Sequence, residues 1–231
     1  MIAPAAPTTP GPRAGRARNP RGEGARLADD IVTAALALIE REGSVEALTL
    51  RAVAREVGIA APSIYAHFDG REAILLAVVR LIFDELASVL GAAVAAAPDD
   101  PVEQLVAGCE AYVAFGLERP ARYAVLFSSD RDDEMCGGEL RVRPDGRPSL
   151  EFGGEAFDIL VAGLEQCVES GASASTSPIE DAVAVWVALH GTVSLWTSLP
   201  QFPWPRAERF VRDLVLRLAR IDVVAAVDAA G

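Results

Sequence analysis

The sequence predicts an all-α protein, because apolar residues recur at helical spacing from Arg26 almost to the end of the chain. It contains neither an alternation of strand and helix patterns nor an internal repeat. Its 51% hydrophobic content is enough for a sizeable core, which excludes global disorder. The 231 residues can therefore form one large helical domain or two small ones.

The first 24 residues are predicted to be a flexible tail. They hold five prolines, four glycines and several arginines, and they lack the apolar stretch of a signal peptide. Nothing in this composition can offset the entropy lost on ordering.

Four helices are expected next. Gly43 ends the first, and Thr49 is a good N-cap for a short second helix that Gly58 ends. A third helix has Pro62 near its first turn, where the missing N–H costs nothing. Residues 69–72 resemble an acidic capping box that opens a long helix over 70–96. The first and fourth helices are predicted to face inward through Leu27, Ile31, Ala34, Ala35 and Leu38, and through Ile74, Val78, Leu81, Leu86 and Val89.

Proline and glycine divide the rest of the chain. Helices are predicted over about 101–117, after Pro120, and over about 150–170, 178–199 and 205–225. Residues 128–150 are polar and rich in glycine, so they are predicted to form a long loop. Within this loop, the alternation around Val142 indicates a small hairpin.

Residues 48–75 carry the most informative motif. Two short helices joined by a tight turn at Gly58 follow the plan of a helix-turn-helix. At 100° per residue, Ala61, Ile64 and Phe68 share one inward sector of the second of these helices. The side chains outside that sector can reach DNA without leaving the core, namely Ser63, Tyr65 and His67.

Two helix N-termini in this region are suited to phosphate, because they present unpaired N–H groups and a positive dipole end. They are marked by Thr49 and Arg51 at the second helix, and by Gly70 and Arg71 at the fourth. Contacts of this kind fix the position of a protein on DNA, whereas contacts to base edges specify sequence.

In order and spacing, residues 27–75 resemble the DNA-binding domain of TetR-type transcriptional regulators. The matching elements are Leu-Thr-x-Arg-x-x-Ala, Val-Gly-Ile, Ile-Tyr-x-His-Phe and a capped fourth helix. Arg71 stands where the family usually has lysine, and it keeps the charge. Ala60, Ala61 and Ala66 are small where relatives can carry base-reading side chains. The resemblance implies contacts to a double-stranded DNA operator from Thr49, Arg51, Pro62, Ser63, Tyr65, His67 and Arg71.

A second resemblance lies at residues 186–191. Their sequence Trp-Val-Ala-Leu-His-Gly is similar to a Trp…His-Gly element in the C-terminal regulatory domains of one TetR subgroup. This implies a site for a small effector, and the apolar composition indicates that the effector is apolar, although each candidate residue is more often part of the core. The candidate pocket residues are Phe115, Phe127, Phe157, Trp186 and His190.

The same resemblance implies a homodimer that forms through the last two helices. Residues 182–189 are all apolar, so their helix must be buried on several sides. A matching stripe on the final helix is predicted to consist of Val211, Leu214, Val215 and Leu218. Residues 182–199 also contain His190 and several hydroxyl groups, so an interface or core helix is expected there, with no membrane span.

The formal charge of −12 argues at first against a nucleic-acid binder, whose usual footprint is basic. The charge is unevenly distributed, however. Residues 1–71 carry +1 and residues 72–231 carry −13, and all 21 cationic side chains are arginine. The acidity therefore belongs to the second part of the chain and says little about the first.

An α-helical enzyme is the main alternative class. A metal-carboxylate bundle needs paired Glu-x-x-His motifs, and neither His67 nor His190 follows a glutamate in this way. The sequence contains no G-x-S-x-G, no H-E-x-x-H and no C-x-x-C. We therefore expect no catalytic residue, no metal site and no cofactor. A helical interaction module without DNA binding remains a third alternative.

These observations predict three parts. Residues 1–24 form the tail, 25–72 a three-helix helix-turn-helix domain, and 73–231 a helical bundle for ligand binding and dimerisation. The resemblance implies a cytoplasmic, ligand-responsive regulator, more often a repressor than an activator, that binds a near-palindromic operator as a homodimer.

Overall fold

The structure is a computed structural model that describes residues 23–127, 141–143, 148–149 and 152–221. Within these ranges the fold is all-α, as predicted. Two 3₁₀ helices, Val45–Ala47 and Ala61–Ala66, flank the second α-helix. The α-helices are α1 Glu23–Glu42, α2 Leu50–Val57, α3 Arg71–Ala96, α4 Pro101–Glu118, α5 Pro120–Leu126, α6 Gly154–Glu169, α7 Pro178–Ser198 and α8 Ala207–Leu218. Residues 1–22 of the predicted tail lie outside the described residues.

The helices α1 and α2, the two 3₁₀ helices and the start of α3 form a small head, which we define as residues 26–71. The Thr49 hydroxyl accepts the Ala52 N–H at 3.2 Å and caps α2, as predicted. Gly58 ends α2 in the left-handed conformation, with φ of 76°, which glycine adopts without steric cost. The side chains of Ile31, Val53 and Ile64 are fully buried between the helices.

The third helix of the head is a 3₁₀ helix, although the prediction treated it as an α-helix. Its bonds run from the Ser63 N–H to the Ala60 carbonyl and from the His67 N–H to the Ile64 carbonyl, both at 2.8 Å. Six residues with an early proline offer few i→i−4 bonds, which favours the tighter form. The inward face is nevertheless as predicted, because residues three apart eclipse one another in a 3₁₀ helix. Ile64 is buried, and Ala61 and Phe68 pack against the core.

Two predictions about α3 are wrong. The expected capping box does not form, because α3 begins at Arg71 behind Gly70 without a side-chain cap. Leu81 was expected inside, but its side chain is 40% exposed and Ile82 is buried instead. Along this helix the buried positions follow a four-residue spacing through Ile74, Val78, Ile82, Leu86 and Leu90.

Helix α4 lies at the centre of the remaining bundle and packs against α3, α5, α6, α7 and α8. Asp100 caps it by accepting the N–H groups of Val102 and Glu103, both at 2.9 Å. Gly116 lets α4 approach α7 closely: a Cβ atom added there would lie 2.5 Å from Val193 Cγ1. The head and this bundle share one continuous apolar core through α3.

The small hairpin predicted around Val142 is present. Strand β1 (Arg141–Val142) pairs antiparallel with β2 (Pro148–Ser149). The guanidinium of Arg143, beside β1, forms a two-pronged ion pair with Asp158 on α6. The rest of the loop predicted over 128–150, apart from residue 143, lies outside the described residues.

The final helix ends earlier than predicted, at Leu218 instead of about residue 225. Residues of the loop before α7 donate hydrogen bonds to the carbonyl groups that follow this helix. The Ser173 hydroxyl donates to the Ala219 carbonyl at 2.6 Å, and the Ala174 N–H donates to the Arg220 carbonyl at 3.0 Å. These bonds replace the next turn of helix.

Cys109 and Cys167 are free, buried thiols. Burial raises the pKa of Cys109 to about 12 and that of Cys167 to about 11, so both stay protonated and unreactive at neutral pH. Cys136 lies outside the described residues. None of the described helices combines the length and apolarity needed to cross a membrane.

The contact between α4 and α7 can be tested with a matched pair of glycine substitutions. Gly116→Ala should lower the free energy of unfolding by about 1–3 kcal/mol, because the new methyl group overlaps the stiff, buried Val193. Gly91→Ala, within α3, places its methyl group in open space and should raise stability by about 0.5–1 kcal/mol. Denaturant unfolding of both variants measures the difference. Equal stabilisation by the two would contradict the close approach.

Candidate nucleic-acid interface and regulatory site

The outward face of the 3₁₀ helix Ala61–Ala66 carries three of the residues predicted to contact DNA. Ile64 is fully buried, and this fixes the direction of its neighbours. Pro62, Ser63 and Tyr65 are exposed, and the Tyr65 ring has 61% of its surface free. His67 is half-buried at the end of the helix. The structure thus brings four predicted contact residues together on one surface.

The second predicted group of contact residues lies at the N-terminus of α2, the helix that precedes this surface in the chain. Thr49 and Arg51 are both exposed there. The Thr49 hydroxyl is occupied by its cap, but the first N–H groups of α2 have no partner within the helix. This is the arrangement that favours a bound phosphate oxygen.

Arg71 makes two hydrogen bonds within the protein that the sequence did not predict. Its Nε donates to the Leu48 carbonyl at 2.9 Å, and its Nη2 donates to the Val45 carbonyl at 3.0 Å. The remaining nitrogen, Nη1, lies 3.7 Å from Glu72 Oε1. Most of the guanidinium therefore faces the protein. No sequence signal pointed to these two carbonyls, because 23 and 26 residues separate them from Arg71.

A second site lies inside the bundle, where three polar aromatic side chains form a hydrogen-bonded chain. The Tyr112 and Tyr123 hydroxyls are 2.9 Å apart, and Tyr123 Oη is 2.8 Å from His190 Nδ1. On the other side of the imidazole, Nε2 is 3.4 Å from Ser194 Oγ. The ring of Phe127 packs on His190 with a centroid separation of 4.4 Å. We call these five residues the aromatic cluster.

The predicted pocket residues are distributed unevenly around the aromatic cluster. Phe127 and His190 belong to it, and Phe157 contacts Trp186 edge to face at 5.9 Å. Phe115 is a buried core residue whose ring lies under the Arg119 guanidinium, at 5.0 Å. Sequence reasoning missed Tyr112 and Tyr123. The available signal was that buried tyrosines need a hydrogen-bond partner, for which His190 was a candidate.

Burial sets the protonation states in the aromatic cluster. It raises the pKa of Tyr112 and Tyr123, so both phenols keep their protons. It lowers the pKa of His190, which favours the neutral imidazole. A neutral imidazole accepts at one ring nitrogen and donates at the other, which suits hydroxyl groups on both sides.

Helix α5 joins this cluster to the head. Tyr123 belongs to the cluster, and the preceding residue, Arg122, forms ion pairs with Glu40 on α1 and Glu85 on α3. Arg119 also reaches Glu85, at 3.4 Å. A short helix thus contacts both the aromatic cluster and the first helix of the head.

The surface of α7 that faces away from the core is apolar. Val187 and Leu195 are 62% and 52% exposed, and Val183 lies on the same face. A Cβ added at Gly191 would meet nothing within 4 Å, so the middle of this face is open. We call it the α7 apolar face.

The final helix contributes less to this surface than predicted. Val211 and Val215 are fully buried within the chain, whereas Leu214 and Leu218 are half-buried. The stripe is divided because α8 packs on α4 and α7 through the valines. At the end of α7, Trp196 stacks on Trp204 with a centroid separation of 5.4 Å, and the Phe202 ring is tilted against Trp204 at 4.3 Å.

In the described part of the chain, no group of three or more His, Cys, Asp or Glu side chains could hold a metal ion. The site consists of α2 and the 3₁₀ helix Ala61–Ala66, which is held in place by buried Ile64 and exposes small and aromatic side chains. A helical bundle follows this helix pair in the chain. This fold and surface define a helix-turn-helix regulator that binds DNA.

Comparison with known proteins assigns the family. Residues 31–78 match the family described as "Bacterial regulatory proteins, tetR family", and residues 105–218 match the "Tetracyclin repressor-like, C-terminal domain". An uncharacterized HTH-type transcriptional regulator of Mycobacterium tuberculosis is 34% identical over 218 residues, which are 94% of this chain and 91% of that protein. The chain belongs to the TetR family of transcriptional regulators.

Solved structures share the fold. A protein of unknown function from Rhodococcus sp. RHA1 is 23% identical, with a TM-score of 0.69, and the match covers 88% of this chain and 98% of the Rhodococcus chain. The TetR family regulator PfmR from Thermus thermophilus is 24% identical, with a TM-score of 0.56, and the match covers 81% of this chain and 97% of the PfmR chain.

The environment of His190 predicts a pH-dependent stability. Because its pKa is lowered in the folded state, the unfolded chain takes up a proton first as the pH falls. The contribution of neutral His190 is therefore complete above the unfolded pKa of about 6.5 and declines as the pH falls below it. Thermal unfolding midpoints between pH 7.5 and 5 should fall less in His190→Gln than in the wild type.

His67→Gln is the matched control, because it removes the other of the two histidines, which lies in the head. It should follow the wild-type profile. A profile for His190→Gln as steep as that of the control would contradict the lowered pKa.

Proposed function

We propose that this DNA-binding regulator is a ligand-responsive repressor that binds a near-palindromic operator as a homodimer. The observation that carries the proposal is the surface around Ile64. Burial of this one side chain turns Pro62, Ser63 and Tyr65 outward in a group that can enter a major groove. We assign residues 25–72 to the DNA-binding domain, 73–231 to the ligand-binding and dimerisation domain, and 1–24 to a tail.

Two kinds of DNA contact are proposed. Pro62, Ser63, Tyr65 and His67 face the bases, where apolar and hydrogen-bonding contacts specify sequence. The two helix N-termini face phosphates, through Thr49, Arg51 and Gly70, and through Nη1 of Arg71, the guanidinium nitrogen that bonds neither carbonyl. In a dimer, the two heads would occupy half-sites roughly 34–36 Å apart.

The effector is proposed to be a small, apolar molecule that acts on the bundle. The support is the aromatic composition of the predicted residues Phe115, Phe127, Phe157, Trp186 and His190. Phe127 contacts His190 and Phe157 contacts Trp186, so a ligand among these residues would pack against aromatic rings. Residues 186–191 also place the chain, by our proposal, in the TetR subgroup with a Trp…His-Gly element.

A path from the aromatic cluster to the head supports a ligand response. Tyr123 and Arg122 are neighbours on α5, one bonded to His190 and the other paired with Glu40 of α1. A ligand that shifts Tyr123 would therefore act on the ion pair between α5 and the first helix of the head. Its effect on operator affinity is limited by its differential affinity for the two states.

The proposed dimer interface is formed by the last two helices, and the α7 apolar face is its main part. Large exposed apolar patches on a helix mark surfaces that are covered by a partner, and Gly191 permits close approach of a second helix. Because an operator lies on chromosomal DNA, the proposed place of action is the cytoplasm of a bacterial cell.

DNA binding is tested first by footprinting on the DNA that flanks the native gene, which supplies an operator. Tyr65→Ala should then weaken operator binding by about tenfold or more and leave binding to unrelated duplex unchanged, because Tyr65 would contact bases. Arg51→Ala should weaken both and lower the slope of log K against log salt by about one, because it would contact phosphate.

Arg209→Ala is the matched control for charge, since Arg209 is exposed on α8, in the bundle. It should leave the salt slope unchanged. If the wild-type protein binds no duplex even at low salt, the alternative of a helical interaction module without DNA binding is favoured.

The dimer is tested with Val187→Arg. Val187 is 62% exposed within one chain, so the change should leave the fold intact while placing a charge in the interface. Sedimentation should show a monomer for this variant and a dimer for the wild type. Leu81→Arg, an exposed apolar residue on α3, is the control and should stay dimeric. A wild-type protein that sediments as a monomer overturns the interface.

A further inference from the structure

The two hydrogen bonds of Arg71 link parts of the head that are far apart in sequence. Arg71 is the first residue of α3, the helix that continues into the bundle. Its acceptors, the Val45 and Leu48 carbonyls, belong to the 3₁₀ turn that precedes α2. Thr49, the N-cap of α2, follows directly after Leu48. One side chain thus connects the beginning of α3 to the beginning of α2.

The turn that Arg71 holds is otherwise fixed by its side chains. Leu48 is fully buried and Val45 is nearly so. The Leu48 N–H donates to the Val45 carbonyl at 3.1 Å, which closes the 3₁₀ turn. Arg71 Nη2 adds a second bond to that same carbonyl, and Nε bonds the Leu48 carbonyl, three residues further along the chain. The position of the α2 N-terminus therefore depends on where α3 places Arg71.

An arginine is needed for this geometry. The guanidinium presents Nε–H and Nη2–H side by side in a rigid plane, so that it can meet two carbonyls at once. A lysine ammonium is a single point charge on a flexible stem, and it cannot reproduce this pair of bonds. Charge alone, in contrast, would be supplied equally well by either residue.

We propose that Arg71 is a positioning residue for DNA binding, which holds the Val45 and Leu48 carbonyls and so sets the place of the α2 N-terminus relative to α3. The inference rests on the proposed function and deepens it. Movement of α3 in the bundle is passed through this side chain to Thr49 and Arg51. Arg71 acts through them, whether or not its Nη1 also meets a phosphate.

The test compares Arg71→Lys with Arg71→Ala, and uses Arg55→Lys on the exposed side of α2 as the matched control. Operator affinity in Arg71→Lys should fall about tenfold, the cost of losing hydrogen bonds from a charged donor. Affinity for unrelated duplex should fall as well, because Arg71 acts through the phosphate contacts of Thr49 and Arg51, but the salt slope should drop by less than one, because residue 71 keeps its charge. Arg55→Lys should match the wild type in all three measurements.

Hydrogen exchange of the free protein gives a readout that needs no DNA. The amide of Ala52, which donates to the Thr49 hydroxyl, should exchange faster in Arg71→Lys than in the wild type and the control. If Arg71→Ala does not fold, Arg71→Lys decides the question, since it keeps the charge and the aliphatic stem.

Wild-type operator affinity in Arg71→Lys overturns the proposal, whatever its exchange shows. If at the same time Arg71→Ala loses affinity for all duplexes and one unit of salt slope, Arg71 is a phosphate contact only. A wild-type protein that binds no duplex defeats the proposed function instead. In that case the exchange of Ala52 still decides whether Arg71 holds the turn.

Discussion

The continuous apolar core along α3 is the constraint on which the rest of the structure depends. At its beginning, Ile74 and Val78 are buried under the head, and further along Leu86 and Leu90 are buried in the bundle. A helix that is anchored in both places cannot move at one end without strain at the other, because packed cores resist gradual deformation. The head is therefore held in register with the bundle, and Arg71 sits at the point where the two meet.

Polar contacts of two arginines also connect the head to the helices that follow it. On one side of the head, Arg71 ties α3 to the turn before α2. On another side, Arg122 ties α5 to α1 and α3. Both residues are partly buried arginines with more than one partner, and the chain has no lysine at all. The planar guanidinium can satisfy several acceptors at once, which makes arginine suited to such junctions.

The aromatic cluster and the α7 apolar face lie on adjacent sides of one helix. His190 turns toward Tyr123 and Phe127, whereas Val187 and Leu195 point away from the chain. An interior change at His190 thus lies within one helix diameter of the surface proposed for the second subunit. Ligand response and dimer geometry can be related through α7 without any long path.

The sequence by itself determined the all-α class, the helix-turn-helix and the faces of its helices, since these follow from local spacing and from caps such as Thr49 and Gly58. Patterns of three and four residues placed Ile64 inside and Tyr65 outside correctly. They failed at Leu81 and at the capping box of α3, where neighbouring elements decide burial and bonding.

Only the tertiary structure brought Tyr123 to His190, Arg122 to Glu40 and Arg71 to Leu48. Each of these pairs joins residues that are far apart in the chain. Local spacing carries no information about such contacts, because packing of whole helices brings the partners together.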